Sequence, residues 1–131
     1  TSELRAPVEF ACVFCQNDEE YKQFTSAAET LGKIVEKTTS GFTYLLDEAM
    51  RTSAGPLRLV KIRRPDPTRM ERGDADFNTD YKNFKKKYEG DHRFELIKRE
   101  AFEMLRLADP NWDVMACFSN VPKSKVLGIK L

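Results

Sequence analysis

An apolar segment near the start of the chain, Val8–Cys15, places its larger apolar side chains Val8, Phe10, Cys12 and Phe14 at every second position, with Glu9, Ala11, Val13 and Cys15 between them. A period of two is typical of a half-buried β-strand. The period then changes, because Asn17 with Glu20 three residues later has the spacing of a helical capping box. We expect the helix to end at Gly32 as its C′ residue. Its apolar stripe is formed by residues at helical spacing: Tyr21, Phe24, Ala28 and Leu31.

Three more strands are predicted in this half of the chain. Lys33–Thr39 and Phe42–Asp47 have the pattern of a hairpin that turns at Ser40-Gly41. The polar stretch Glu48–Gly55 then connects to a fourth strand, Leu57–Arg64. The first half is therefore predicted to be a β-α-β-β-β unit.

Two prolines, Pro65 and Pro67, stop the fourth strand, since proline cannot donate a hydrogen bond to a sheet. We interpret residues 65–73 as a linker, after which the pattern restarts. The restart consists of a strand at Asp74–Asn78, a helix capped by Asp80, strands at Phe94–Arg99, Phe102–Leu107 and Trp112–Phe118, and a last strand at Val126–Leu131.

The second half of the chain also repeats short sequence segments of the first half. The segment Glu20–Phe24 (EYKQF) matches Asp80–Phe84 (DYKNF), and Gly41–Leu45 (GFTYL) matches Ala101–Leu105 (AFEML), both at an offset of 60 residues. This favours an α+β protein of two tandem β-α-β-β-β modules, residues 1–64 and 74–131, within one compact domain. The alternative is an undivided ferredoxin-like α+β domain.

The repeat makes specific claims about equivalent residues. It predicts that Phe24 and Phe84 occupy equivalent buried places on the two helices. It also predicts that Phe42 and Phe102, which head matching strands, are both core residues.

This tandem pattern resembles the glyoxalase/bleomycin-resistance/extradiol-dioxygenase superfamily, also called the vicinal oxygen chelate superfamily. The likeness lies in the strand Val8–Cys15, the helix after Asn17, Gly32, and the strand pair containing Gly41-Phe42. The resemblance implies a curved mixed sheet, helices on its convex face, and a cleft on its concave face. It also implies, for the metal-using members, a divalent ion held by His and Glu side chains in that cleft.

The sequence departs from the family pattern where the metal ligands would lie. The first strand of module one contains Val8-Glu9-Phe10, the matching strand of module two contains Asp74-Ala75-Asp76, and neither has a histidine. The only histidine is His92, in a predicted turn. Since zinc or iron in this family requires imidazole together with carboxylate, we predict no metal site and no cofactor.

Composition narrows the class of protein further. The 131 residues carry 22 Lys+Arg against 21 Asp+Glu, so the formal net charge is +1. A balanced charge argues against a nucleic-acid partner, and no apolar run is long enough to cross a bilayer. Three cysteines and no hydrophobic leader fit a reducing compartment. We therefore expect a cytoplasmic protein with neither a nucleic-acid nor a membrane partner.

Four charged residues are candidates for ligand binding: Glu9, Lys61, Arg63 and Asp76. Glu9 interrupts an apolar strand, and by alternation we place it on the cleft side, away from the helix. Lys61 and Arg63 share one face of the fourth strand and could hold an anionic group. The alternative for Glu9 is a sheet-end residue that reaches solvent or pairs with an arginine. The alternative for the fourth strand is an edge strand protected by charge, or a dimer face.

The motif Cys12-Val13-Phe14-Cys15 has the spacing of a thioredoxin-like redox pair. Such a pair needs its first cysteine at a helix N-terminus, where its pKa is lowered. Cys12 is predicted in the middle of a strand, and residues three apart on a strand face opposite sides. We interpret these cysteines, and Cys117, as structural.

Two functional hypotheses follow from these observations. In the first, the chain is a metal-free protein that binds a small amphipathic or anionic molecule in its cleft. In the second, it is a divalent-metal-dependent lyase, isomerase or dioxygenase of the same superfamily with substituted ligands. A scaffold without a small ligand is a third possibility, which a cleft filled by its own aromatic residues would favour. We also expect a homodimer, because two modules leave sheet edges and large apolar side chains exposed.

Overall fold

The computed structural model describes residues 5–131, so the first four residues of the predicted first module lie outside the described part. The described residues form eight strands and three helices in the order β-α-β-β-β-β-α-β-β-β-α. Module one consists of β1 (Val8–Phe14), α1 (Asp18–Leu31), β2 (Gly32–Thr38), β3 (Gly41–Thr52) and β4 (Gly55–Arg63). Module two consists of β5 (Gly73–Phe77), α2 (Tyr81–Tyr88), β6 (Phe94–Lys98), β7 (Glu103–Leu107) and β8 (Val114–Ser119), followed by α3 (Lys123–Val126).

All eight strands belong to one curved sheet with the order β2-β3-β4-β1-β5-β8-β7-β6. In each module the first strand pairs in parallel with the last strand, as β1 with β4 and β5 with β8. The two first strands pair with each other in antiparallel fashion, with Ala11 opposite Ala75. The α+β class and the repeated unit are confirmed, and the β1–β5 contact joins the two modules into one sheet.

Helix α1 begins as the sequence predicts, with Asn17 as its N-cap residue. The Asn17 side chain accepts a hydrogen bond of 2.8 Å from the backbone N–H of Glu20, as in a capping box. Gly32 is not a left-handed C′ residue but the first residue of β2, in an extended conformation. A side chain there would collide with the carbonyl oxygen of Leu45, only 2.2 Å from an ideal Cβ. Glycine is therefore required by close approach of two strands.

Each helix covers its own module on the convex face. Under α1, the buried Cys15, Ala28, Tyr44 and Ile62 form one apolar cluster. Under α2, Phe84 and Tyr88 pack on Leu105 together with Phe94 and Phe118. The Phe84 and Phe118 rings stack with their centroids 4.4 Å apart. Aromatic packing thus compensates for a helix of only eight residues.

The predicted equivalence of Phe24 and Phe84 is wrong. Phe24 is 37% exposed, whereas Phe84 is 2% exposed at the centre of its cluster. The helix starts explain this, because α1 begins after Asn17 and α2 begins after Asp80, an offset of 63 rather than 60. The sequence match was therefore out of register with the structural repeat.

The strands also depart from the 60-residue register. Tyr44 packs under α1 and Leu105 packs under α2, so the offset between these strands is an odd number of residues, because successive side chains point to opposite faces of a sheet. Phe42 and Phe102, predicted as paired core residues, are both only partly buried. Phe42 packs on the cluster under α1, whereas Phe102 lies on the concave side.

Two strand predictions are corrected by the pairing. The stretch 48–55 is not a connection, because β3 continues to Thr52 and turns at once into β4 at Gly55, whose φ of 103° is left-handed. The edge-strand alternative for residues 57–64 is also wrong. Strand β4 lies inside the sheet between β3 and β1.

The predicted last strand, Val126–Leu131, is absent from the structure. The chain instead forms the short helix α3, and the N–H of Leu127 bonds to the carbonyl of Lys123. The physical reason lies in β8, which is already paired on one side with β5 and on the other with β7. No free edge remains beside it, and Gly128, with a φ of 68°, ends the helical turn.

The packing of α2 can be tested at Leu105. Because Leu105 is fully buried, Leu105→Ala should lower the free energy of unfolding by about 2–5 kcal/mol. Leu96→Ala, on the neighbouring strand and 37% exposed, is the matched control and should cost about 1 kcal/mol or less. Urea unfolding followed by circular dichroism measures both, and equal losses would contradict the assigned register.

Candidate functional site

The concave face of the sheet contains a cavity of about 170 Å³ that both modules line, here called the trough cavity. Its walls come from β1, β4, β5, β6, β7 and β8, with the β4–β5 and β6–β7 connections and α3 at its rim. The lining residues are Phe10, Cys12, Phe14, Arg63, Arg69, Asp74, Asp76, Ile97, Arg99, Phe102, Met104, Arg106, Cys117 and Lys123. The cavity therefore combines aromatic, cationic and acidic side chains.

Four arginines surround the trough cavity. The Arg63 guanidinium lies over the Phe14 ring, 4.9 Å from its centroid. Arg106 is paired with Glu95 at 3.2 Å. Within residues 5–131, no carboxylate oxygen lies within 4.0 Å of a guanidinium nitrogen of Arg63, Arg69 or Arg99. Three guanidinium groups thus keep their capacity to bind an anion.

Two aspartates of β5 form the acidic part of the cavity. Burial raises the pKa of Asp74 to about 6, although Arg63 and Arg106 oppose the shift. Burial also raises the pKa of Asp76 to about 7, and the neighbouring Asp74 adds to it. Near neutral pH these carboxyls are therefore partly protonated, and their negative charge is smaller than their number implies.

Asp74, Asp76 and Cys117 each offer a ligand atom within 4.8 Å of the others. This is the place where a metal would have to lie on the concave face. Burial raises the pKa of the Cys117 thiol, which also hydrogen-bonds to Asp76, and an imidazole is missing. Two carboxylates and a thiol without an imidazole do not match the imidazole-and-carboxylate set that the resemblance implies for zinc or iron. The guanidinium groups of Arg63 and Arg106, which act on Asp74, also disfavour a bound cation.

The structure brings two of the four predicted residues together and separates the others. Arg63 and Asp76 line the trough cavity, whereas Lys61 and Glu9 do not. The Lys61 ammonium donates a 3.0 Å hydrogen bond to the Thr38 hydroxyl, and burial lowers its pKa. Lys61 therefore binds within the sheet rather than at the cavity.

Glu9 lies beside the trough cavity because of an irregularity in the pairing of β1 with β5, which the sequence pattern does not reveal. The register between β1 and β5 shifts between Val8 and Phe10, so strict alternation fails at Glu9. Phe10, Cys12 and Phe14, not the set containing Glu9, line the concave cavity, and Val13 packs under α1. The face assigned to the strand was thus reversed, while Glu9 still reaches α3.

Glu9 is 6% exposed, and its Oε1 accepts hydrogen bonds from the Ser124 hydroxyl at 3.1 Å and the Asn78 amide at 3.4 Å. Its other oxygen, Oε2, is buried and has no hydrogen-bond partner within the described residues. The prediction that Glu9 pairs with an arginine is wrong, because its partners are an amide and a hydroxyl.

Sequence reasoning missed several lining residues. Arg106 and Cys117 are register partners on β7 and β8, and the alternation of Arg106 with Leu105 and Leu107 was a usable signal. Arg69 lies in the connection between modules, and Lys123 lies just before the wrongly predicted last strand, so neither carried a periodic signal. Their positions depend on the joining of the two modules into one sheet.

The cysteines behave as expected for structural residues. Cys12 and Cys15 are free thiols on opposite faces of the strand end, one in the trough cavity and one under α1. Burial raises the pKa of Cys15 to about 11 and raises that of Cys12 as well. Thiols held protonated in this way are poor nucleophiles.

Two solved structures share this arrangement of strands. A structural-genomics protein called Protein EC4020 superimposes with a TM-score of 0.73 and 10% identity over 95% of this chain and 77% of its own. A glyoxalase/bleomycin resistance protein/dioxygenase superfamily member from Vibrio splendidus 12B01 gives a TM-score of 0.53 and 8% identity over 87% and 97% of the two chains. No family model and no curated protein matches the sequence. The resemblance drawn from the sequence is confirmed as a likeness of fold.

None of the helices within residues 5–131 is both long enough and apolar enough to span a lipid bilayer.

The raised pKa of Asp76 gives a pH prediction. Between its ordinary value of 3.8 and about 7, the folded chain keeps a proton that the unfolded chain has released. The stabilising contribution of protonated Asp76 is therefore lost as pH rises through that window. From pH ~4.5 to pH ~7.5 the wild-type chain should lose roughly 1–4 kcal/mol of unfolding free energy relative to Asp76→Asn.

Urea unfolding at both pH values measures this difference. Asp113→Asn, at an exposed position, is the control and should keep the wild-type slope. A wild-type slope in Asp76→Asn would show that this carboxyl ionises normally in the folded state.

Proposed function

We propose that the chain is a metal-free binding protein for a small organic anion with an aromatic or apolar body, which it holds in the trough cavity. The observation that carries this proposal is the set of three guanidinium groups, Arg63, Arg69 and Arg99, without carboxylate partners in the described chain. They border the same cavity as the rings of Phe10 and Phe14. Aromatic walls and guanidinium groups together suit a ring that carries a carboxylate.

The electrostatics of the cavity support an anion. Arg63, Arg69, Arg99 and Arg106 each bring a guanidinium group, which carries a positive charge and five N–H donors. Asp74 and Asp76 oppose them only partly, because burial favours their protonated forms. A bound carboxylate would therefore meet a net positive environment.

The volume of the cavity limits the ligand. About 170 Å³ is below the ~300–1,000 Å³ that is usual for drug-sized ligands. Phe10 and Phe14 are 6% and 5% exposed and fill part of the concave face. The ligand class is thus a monocyclic or short-chain acid.

The second candidate function is a metal-dependent lyase, isomerase or dioxygenase. The proximity of Asp74, Asp76 and Cys117 is the observation in its favour. The lack of an imidazole beside them in the described chain, and the nearby positive charges of Arg63 and Arg106, oppose it, so we assign no reaction step to these residues.

A metal measurement separates the two functions. We expect protein purified without a polyhistidine tag to contain far less than one equivalent of Zn, Fe, Mn or Ni by plasma mass spectrometry. We also expect Zn²⁺ to leave the thermal midpoint unchanged. A stoichiometric metal that Asp76→Asn and Cys117→Ser both remove would overturn the metal-free proposal.

The homodimer stays a prediction. Trp112 and Val114 are 68% and 51% exposed, and they border an apolar groove of about 510 Å³ on the convex side of β5 and β8. Helix α2, at eight residues against fourteen in α1, is too short to cover this groove. Such a surface is suited to association.

Benzoate is a direct probe of the proposed anion site. Isothermal titration should detect benzoate binding, whereas benzamide, its neutral analogue of similar shape, should bind at least tenfold more weakly. Arg63→Met should weaken benzoate binding by about tenfold or more, since it removes a charge-assisted contact.

Arg64→Met is the matched control. Arg64 is the next residue but lies over the Tyr21 ring, away from the trough cavity, and its loss should leave benzoate binding unchanged. Equal affinity for benzoate and benzamide, or equal effects of the two variants, would contradict the anion site.

A further inference from the structure

The chain after β8 crosses back over the concave face to module one. Residues 122–131, here called the C-terminal strap, contain α3 and reach the strands β1 and β2. The Ser124 hydroxyl donates to Glu9 of β1 at 3.1 Å, and the Lys123 ammonium donates to Glu36 of β2 at 3.0 Å. These contacts join residues 115 and 87 positions apart in the sequence. The strap thus fastens the last segment of module two onto module one.

The Lys123 ammonium contacts a carboxylate and an aromatic ring. Glu36, its carboxylate partner, also accepts a 2.7 Å hydrogen bond from the buried hydroxyl of Thr43. The ammonium lies 5.3 Å from the centroid of the Phe10 ring, a cation–π contact. The side chains of Lys123 and Glu36 are 19% and 21% exposed, so the ion pair is largely shielded from water.

A second carboxylate, Glu9, holds the strap at the neighbouring residue. Glu9 is 6% exposed and contacts Ser124, the residue after Lys123. Its contact fixes the strap beside the Lys123–Glu36 pair, whereas Glu36 and the Phe10 ring are the groups that hold the ammonium itself. A carboxylate and an aromatic face are groups that recognise a primary ammonium ion.

We propose that Glu36 and Phe10 form a binding site for a primary alkylammonium group, and that Lys123 occupies this site as an internal ligand. A small molecule with such a group competes with the strap and opens the concave face beside the trough cavity. A hydrogen-bond acceptor such as Glu36 requires N–H donors, so primary ammonium ions are favoured over quaternary ones.

The proposal can be tested separately from the anion site, although Phe10 borders both. Lys123 borders the trough cavity, but Arg63, Arg69 and Arg99 make no part of the cage around its ammonium. Benzoate binding can therefore fail while the ammonium site stands, and the reverse also holds.

Chemical complementation tests the site. Lys123→Ala removes the internal ammonium and should lower the thermal midpoint by several degrees. Adding n-butylammonium chloride, whose chain is one carbon longer than the group that Lys123→Ala removes, should restore roughly 2–4 °C. Equal concentrations of n-butanol or n-butyltrimethylammonium chloride should restore less than half of that.

Three controls make the result specific. Wild-type protein and Lys125→Ala, an exposed lysine in the same helix, should show no gain with n-butylammonium. Lys123→Met should also show none, since its side chain still fills the space over Phe10. Adding Glu36→Gln to Lys123→Ala should abolish the recovery.

Several outcomes would overturn the proposal. These are equal gains from the amine and the alcohol, equal gains in wild type and Lys123→Ala, or no gain at all in Lys123→Ala. If Lys123→Ala does not fold alone, its refolding yield in n-butylammonium is compared with its yield in n-butanol. Recovery with the amine and not with n-butanol supports the site, and recovery with neither overturns it.

Discussion

The antiparallel pairing of β1 with β5 is the interaction on which the rest of this structure depends. Each module alone has an exposed first strand with an unpaired edge, and the pairing of these edges produces one continuous sheet. The register places Cys12 opposite Asp74 and Phe10 opposite Asp76. It thereby puts the aromatic residues of one module next to the acidic residues of the other, and so creates the trough cavity.

The joined sheet also determines where charge can be tolerated. The convex face is covered by α1 and α2 and contains apolar clusters, whereas the concave face holds charged groups close together. Burial moves Asp74 and Asp76 toward their neutral forms, while three arginines stay charged without carboxylate partners in the described chain. This imbalance is the physical basis of the proposed anion site. The C-terminal strap brings a further cation, Lys123, to the same face.

Local sequence rules predicted much of the fold. Alternation located β1, capping chemistry located the start of α1, and the two prolines marked the end of β4. The predicted repeat was correct in topology but wrong in register, since the N-caps Asn17 and Asp80 are 63 residues apart and Tyr44 and Leu105 face their helices at an odd offset. Similar short sequences cannot reveal such a shift, because faces are decided by long-range packing.

The site was less predictable than the fold. Arg63 and Asp76 were recognisable as charged residues in strands, and both line the trough cavity. The face of β1 was assigned wrongly, and Glu9 reaches the concave side only because the register shift beside it breaks alternation. Lys123 was missed because the strap is positioned by contacts to Glu9 and Glu36, far away in the sequence. Such positions follow from the joining of the two modules and not from local periodicity.

Native-state hydrogen exchange at increasing urea concentration shows whether the β1–β5 contact makes the two modules one cooperative unit. We expect the amides of Ala11 and Ala75, which lie opposite each other, to be among the most protected. We also expect β3 and β7, at the centres of the two modules, to open with the same free energy and the same dependence on urea. Exchange of β7 at a clearly lower free energy than β3, with unprotected amides at Ala11 and Ala75, would show instead that the modules unfold separately.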